Sequence, residues 1–305
     1  MYRQRKPKPR PRTKVSKQGN VIEVTHLTGC NRECRVKKLD GERYVNLGTG
    51  EIGYYEKREG QKRTDNVQEL RKSFAKMRAL INANCTDAKK LRWVTLTYSE
   101  NMQDLERLYK DFKSFMKRVR RRWGACEYIA VPEPQRRGAW HMHLILIYPG
   151  RAPYMPNSEL REVWGHGFVR VQSLVDVDNV GAYLSAYLGD LEAEDGEGCD
   201  EVKSTKDGKK KRIIKGGRLG LYPAGMNVYR CSRGVKRPEE YWVETKEQRD
   251  ELMEIDLSYK PYVRTYTAEL ENGMKVEIEK RYYNVKRPRD WKRFHSEQRT
   301  MENQA

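Results

Sequence analysis

Val131-Pro132-Glu133-Pro134-Gln135-Arg136-Arg137-Gly138-Ala139-Trp140-His141-Met142-His143-Leu144-Ile145-Leu146-Ile147 is a run in which one strand reverses and returns as another. A three-residue hairpin loop commonly takes a type I turn followed by a left-handed residue, and Arg136-Arg137-Gly138 places glycine where that φ falls. Closing the loop with Gln135 opposite Ala139 sets Pro134 against Trp140 and Glu133 against His141. Directly opposed residues share a sheet face, with Cβ atoms roughly 4.5–5.5 Å apart. Residues two apart on a strand also share a face, so His141 and His143 stand together, about 7 Å apart along the backbone. Glu133, His141 and His143 are therefore expected to converge. Gln135 falls on that face too, as an outer donor, or as a substitute ligand if the register slips by two. A His-x-His pair by itself is more often two hydrogen-bonded core histidines than a metal pincer. With an opposed carboxylate, the trio leaves open positions on a divalent ion, and such mixed ligation suits Mn2+, Mg2+ or Zn2+ at a site that admits a substrate oxygen.

Strands and helices alternate on either side of this hairpin. Trp93 to Tyr98 is rich in β-branched and aromatic residues and reads as a strand, as does Phe168 to Val175. A helix from about Met102 to Trp123 carries Leu105, Leu108, Phe112, Phe115, Met116 and Val119 on one face and stops at Gly124. Its last turns hold Lys117, Arg118, Arg121 and Arg122, cations that either favour the helix dipole or contact phosphate, as Arg136 and Arg137 in the hairpin loop would. Asp65 and Gln68 form a capping box ahead of Val67, Leu70, Phe74, Met77 and Ile81, which predicts a helix over 66–83. Short helices are expected at 158–164 and 177–189. In the second, Val180, Tyr183, Leu184, Tyr187 and Leu188 recur at helical spacing, so both phenols lie one turn apart on one face. Such a stripe is more often core than chemistry.

Beyond these elements, the composition sets the class. The 305 residues include 62 Lys and Arg against 43 Asp and Glu, a formal net charge of +19, which favours a polyanionic partner such as nucleic acid. Six sparse cysteines are unlike the dense framework of a small secreted domain. His26, Cys30 and Cys34 give only three zinc ligands at unusual spacing. No apolar run approaches the roughly 20 residues a membrane helix needs, and the basic N-terminus lacks the apolar core of a signal peptide, so a cytoplasmic protein is expected. Residues 1–20 read as a disordered basic arm. The expected divisions are then 21–90 as a hairpin and helix, 91–235 as the chemical domain with a mobile loop at 190–216, and 236–305 as a helix plus a hairpin turning at Asn272-Gly273. The expected class is α+β, with a central antiparallel sheet of four to five strands flanked by helices.

Taken together, the residues describe phosphodiester transfer. A phenol is a poor nucleophile at its free pKa of about 10, and a cation that polarises a phosphodiester lowers the barrier to its attack. The chain resembles the rolling-circle replication initiators of the HUH endonuclease superfamily, as found in bacterial plasmids, integrative elements and single-stranded DNA phages. The resemblance rests on VTLTYSE at 94–100, EPQRRGAWHMHLI at 133–145 and YLSAY at 183–187, with GGRLGLYPAGMNVYRCSRG at 216–234 of similar appearance.

That resemblance implies an HUH fold in which His141, His143 and Glu133 hold Mg2+ or Mn2+ and Tyr183, Tyr187 or both attack the nick-site phosphate. It implies nicking and joining of single-stranded DNA at a replication origin through a 5′-phosphotyrosine, in a bacterial cytoplasm, with a host polymerase extending the freed 3′-hydroxyl. The chain has no G-x-x-x-x-G-K-[ST] phosphate loop, so a host helicase is expected as well. Many relatives carry a lysine three or four residues after the catalytic tyrosine, where this chain has Ala186 after Tyr183 and Asp190 after Tyr187. The helper cation is thus unassigned. A relaxase or single-strand transposase shares the chemistry, and a non-catalytic basic nucleic-acid-binding protein shares the charge.

Overall fold

The computed structural model describes residues 12–29, 36–40, 42–55, 67–174, 180–193, 197–204, 210–223, 226–254, 260–269 and 275–285. Along the chain run β1 (Arg12–Gln18), β2 (Val21–Leu27), β3 (Val36–Lys38), β4 (Arg43–Asn46), β5 (Ile52–Tyr54), α1 (Val67–Asn84), β6 (Leu91–Leu96), α2 (Leu105–Trp123), β7 (Glu127–Pro134) and β8 (Trp140–Ile147). They are followed by α3 (Asn157–Trp164), β9 (Val169–Gln172), α4 (Val180–Gly189), β10 (Leu191–Glu192), β11 (Glu201–Ser204), β12 (Lys210–Ile214), β13 (Arg230–Cys231), β14 (Glu239–Val243), α5 (Lys246–Met253), β15 (Tyr262–Glu269) and β16 (Lys275–Asn284). The chain forms two units, one from residues 1–17, 21–61 and 239–288, the other from 18–20, 62–238 and 289–305.

In the larger unit five antiparallel strands are ordered β13-β7-β8-β6-β9, which makes the fold α+β as expected. Alternation along β8 divides the core in two. Met142, Leu144 and Leu146 point into one cluster with Leu108, Phe112, Phe115 and Val119 of α2 and with Leu160 and Trp164 of α3. Ile145 points to the other face, where Met77, Leu80 and Ile81 of α1 and Val180, Leu184 and Leu188 of α4 cover it. Each such side chain contributes roughly 1.5–3 kcal/mol on burial, and with helices on both faces the central strand is apolar on both. Helix α2 begins later than its apolar pattern suggests. Asp104 caps it, accepting from Glu106 N and Arg107 N, while Met102 and Gln103 carbonyls are engaged by Trp140 N and Nε1.

The segment 190–216, expected to be a mobile loop, contains the antiparallel sheet β10-β12-β11. Its segregated charges pair across that sheet: Lys211 Nζ lies 2.7 Å from Glu192 Oε2, and Lys215 Nζ lies 2.6 Å from Glu201 Oε2. A block of acid followed by a block of base is here a hairpin zipped by opposite charges.

In the other unit, the expectation of a disordered arm over residues 1–20 is corrected for its second half. Residues 12–18 form β1, paired with β14 through Val15↔Tyr241 and its neighbours, and Val15 is fully buried among Ile22, Val24, Val243 and Met253. One apolar side chain with a distant partner strand is enough to order a segment whose mean composition is that of a solvated tail. The sheet order is β14-β1-β2-β16-β15, so chain beyond 238 joins the N-terminal strands rather than forming a module of its own, and the expected 21–90 and 236–305 divisions give way. The β15–β16 hairpin forms as predicted in register, while its Asn272-Gly273 turn lies outside the described residues. So do residues 1–11, Cys30 and Cys34, whereas His26 Nδ1 is 2.9 Å from Thr13 Oγ1.

Candidate active site

The hairpin between β7 and β8 is built as its sequence dictates. Gln135 N donates to Ala139 O at 2.8 Å, Gly138 N donates to Gln135 O at 2.9 Å, and Gly138 has φ +84°. Glu133 pairs with His141 and Pro134 with Trp140, so one face carries Glu133, His141 and His143. The loop is held from outside: Asn101 Nδ2 and Gln103 Nε2 each donate to Arg137 O at 3.2 Å.

The three side chains converge on one oxygen. Glu133 Oε2 is 2.7 Å from His143 Nε2 and 3.6 Å from His141 Nδ1, and it accepts from Gln135 Nε2 at 2.9 Å. Glu133 and His143 are 4% and 3% exposed, so this is an interior cluster with a half-buried edge at His141. Burial works to raise the Glu133 carboxyl pKa, but the His143 hydrogen bond and the nearby Arg218 charge outweigh it and leave the group below its ordinary value. Burial pushes His141 down to about 4 against the pull of Glu133, so its imidazole is neutral at pH 7 with a lone pair to offer. An ionised carboxylate only accepts, so the His143 Nε2 facing it carries the proton in this arrangement. Thr95 Oγ1 lies 3.1 Å from His143 Nδ1, and a hydroxyl can donate or accept, so either imidazole tautomer is satisfied.

Sequence patterning missed the fourth member. Arg218, in the 3-10 turn Gly217–Leu221, forms an ion pair with Glu133 Oε1, and its side chain is 12% exposed. Arg218 Nε donates to Asp190 O at 3.1 Å and Gly216 N to Asp190 Oδ1 at 3.1 Å, which ties the arginine to the residue that ends α4. The glycines around Arg218 were the available signal, since a tight turn in a basic chain positions a side chain closely. Its partner is 85 residues away in sequence, and no local pattern reports that.

Donor atoms around an ion bound at about 2.1 Å lie roughly 3.0–3.4 Å apart, so separations of 2.7 and 3.6 Å bracket what a shared ion needs. The donor set, two imidazoles and one carboxylate with a hydroxyl behind, fits a divalent cation chemically. As arranged, the cluster is closed by hydrogen bonds and by Arg218, and among the described residues no three His, Cys, Asp or Glu form a ready-made metal cage.

Helix α4, which contains Tyr183 and Tyr187 one turn apart, packs on the same face of the sheet. Leu184 and Leu188 line a small cavity together with His143, Trp93, Val131 and Ile145. The side chains of both tyrosines lie outside the described residues. The basic end of α2, by contrast, is on the opposite face, and part of it is engaged internally. Arg118 Nη2 donates to Trp164 O at 3.3 Å, and Arg122 Nη2 is 2.6 Å from Glu159 Oε2. Lys117 and Arg121 are exposed there. In the hairpin loop Arg136 pairs with Glu197 at 2.7 Å, while Arg137 is exposed.

Residues 91–192 match the family model of the replication-associated protein ORF2. The match covers β6 through β10, and with it both histidines, Glu133 and the helix of the paired tyrosines. It supports a replication initiator, a protein that acts on DNA. No curated protein and no solved structure matches the chain. Among the described residues no helix is long and apolar enough to cross a membrane.

Proposed function

We propose that the protein is a rolling-circle replication initiator of the HUH type that nicks and rejoins single-stranded DNA at an origin through a tyrosine. The observation that carries this is the sharing of one sheet face by Glu133, His141 and His143 with the helix of Tyr183 and Tyr187, inside a segment similar to replication-associated proteins. Glu133, His141 and His143 would hold Mg2+ or Mn2+, and such an ion, when bound, polarises the scissile phosphodiester.

The protein groups supply the rest. The phenol oxygen of Tyr183 or Tyr187 forms a bond to phosphorus as the bond from phosphorus to the 3′-oxygen breaks. The phenol proton is lost and the 3′-oxygen gains one, so the products are a 5′-phosphotyrosine and a free 3′-hydroxyl. One phosphoester replaces another, which makes the step reversible and allows a second strand end to be joined. Thr95 fixes the His143 ring, and neutral His141 offers its nitrogen without first losing a proton. The free 3′-hydroxyl is the primer a host polymerase extends, and strand separation falls to a host helicase.

The test is incubation of the full chain with end-labelled single-stranded origin DNA and Mn2+, followed by denaturing electrophoresis and peptide mapping. A covalent adduct on residues 180–189 that is absent from the Tyr183→Phe, Tyr187→Phe double variant is expected. An adduct that persists in that variant excludes both tyrosines. Steep, salt-dependent binding with no adduct would leave a DNA-binding protein without this chemistry.

A further inference from the structure

Phe168 stands where a soluble protein rarely leaves a phenyl ring: 65% exposed, beside β9, the edge strand of the five-stranded sheet. Its carbonyl accepts from Thr97 N at 2.9 Å, which fixes the backbone beside β6. The next residue, Val169, is buried in the α2-side cluster, so alternation turns Phe168 and Arg170 to the other face. That is the face of the histidines, because Thr95 is paired with Arg170 on one side and with His143 on the other. Strands lie about 4.8 Å apart, so Phe168 and Arg170 are two strands, or about 10 Å, from the histidine strand.

These two side chains border a groove of about 450 Å³ with Asn157, Ser158 and Arg161 of α3 and with Val169. Among the described residues neither Arg161 nor Arg170 has an ion-pair partner, whereas Glu159 on the same helix is already paired with Arg122. An exposed ring between two guanidinium groups offers a stacking surface for a base and compensation for the phosphates on either side of it. A duplex keeps its bases stacked on one another, so the ring selects a strand whose bases are free.

We infer that Phe168, Arg161 and Arg170 form a single-stranded DNA subsite at the edge of the sheet, with one base stacked on Phe168. The subsite rests on the nickase reading only for its purpose, which is to hold the strand whose phosphate is presented to the Glu133, His141 and His143 cluster. Its binding chemistry stands on the groove alone.

The experiment measures fluorescence anisotropy of a labelled mixed-sequence single-stranded oligonucleotide with the full chain in chelator, where no cleavage intrudes. Phe168→Ala is expected to weaken binding about five- to hundred-fold, the range one stacked base provides, while Phe168→Trp keeps it. Arg161→Ala and Arg170→Ala are each expected to lower the slope of log affinity against log salt by about 0.7, one phosphate contact on a single strand. Binding of a blunt duplex is expected to be unchanged by Phe168→Ala. If Phe168→Ala binds the single strand within two-fold of the parent, or loses duplex binding equally, the subsite is overturned. The nickase reading is scored separately by adduct formation with Mn2+, so an adduct with unchanged Phe168→Ala binding sinks only the subsite, and lost binding without any adduct sinks only the nickase.

Discussion

Arg218 sets its guanidinium on the carboxylate of Glu133, a contact made across 85 residues of chain between two side chains that are 12% and 5% exposed. The arginine gives the interior carboxylate a cation from the protein itself, and Asp190 holds that cation in place from the end of α4. The strand face and the tyrosine helix are thus tied through one side chain. Removing it leaves a buried charge without its partner, which costs about 3–5 kcal/mol. Arg218→Ala is expected to lower the melting temperature in chelator by roughly 6–20 °C for a unit of this size. Since a divalent ion on Glu133 would restore the missing charge, Mn2+ is expected to raise the melting temperature of the variant more than that of the parent. Equal shifts in both proteins would show that the ion does not reach Glu133.

Gly138 is the other fixed point of the site. At φ +84° a side chain costs about 1–2 kcal/mol, and a Cβ there would lie 3.0 Å from Gln103 Nε2, which itself braces the loop. Gly138→Ala is expected to reduce unfolding free energy by that amount in urea titrations. Gly198→Ala is the control, because a Cβ at Gly198 meets nothing within 4 Å, and its expected change is near zero. An unaffected Gly138→Ala would mean that the loop relaxes to another turn, and Mn2+ affinity would report whether Glu133 still faces His141.

His141 makes the metal-free protein sensitive to acid. Its pKa falls from the ordinary 6.5 to about 4 because burial disfavours the imidazolium. Between those values the unfolded chain binds the proton and the folded one does not, so stability rises with pH across the interval. The contribution is fully present above pH 6.5 and is lost as pH falls toward 4, at most about 3 kcal/mol for a shift of this size. His141→Gln is expected to flatten the change in urea midpoint between about pH 7 and pH 5. A variant that keeps the parent's slope would assign the acid sensitivity to other groups.

How far the site could be read from sequence follows from the range of each interaction. The hairpin was legible because Arg136-Arg137-Gly138 fixes a turn and a turn fixes register; from there Glu133 opposite His141 is arithmetic. The two-faced core was legible in the alternation of Met142, Leu144 and Leu146 against Ile145. What escaped were partners brought in from far along the chain. Strand β1 reads as a solvated tail until Tyr241 and its neighbours are beside it, and the charges of 190–216 read as a loop until Lys211 faces Glu192. Arg218 belongs to the same class. The basic end of α2 misled for a different reason: charge density shows on a helix in sequence, but the face of the sheet that helix will cover does not.

The two tyrosines lead to separate expectations if each serves one transfer. Tyr183 occupies the place in the motif that single-tyrosine relatives use, so it is expected to make the first attack, with Tyr187 one turn later taking the second strand end. Tyr183→Phe is then expected to abolish the initial adduct on single-stranded DNA with Mn2+, while Tyr187→Phe still forms it and fails in rejoining. A phenyl in place of a phenol removes only the attacking oxygen, so binding in chelator is expected to match the parent in both variants. Mass spectrometry of the nucleotide-bearing peptide from the parent separates the cases: Tyr183 modified alone supports the stated order, both modified in equal amount shows interchangeable nucleophiles, and Tyr187 alone reverses it.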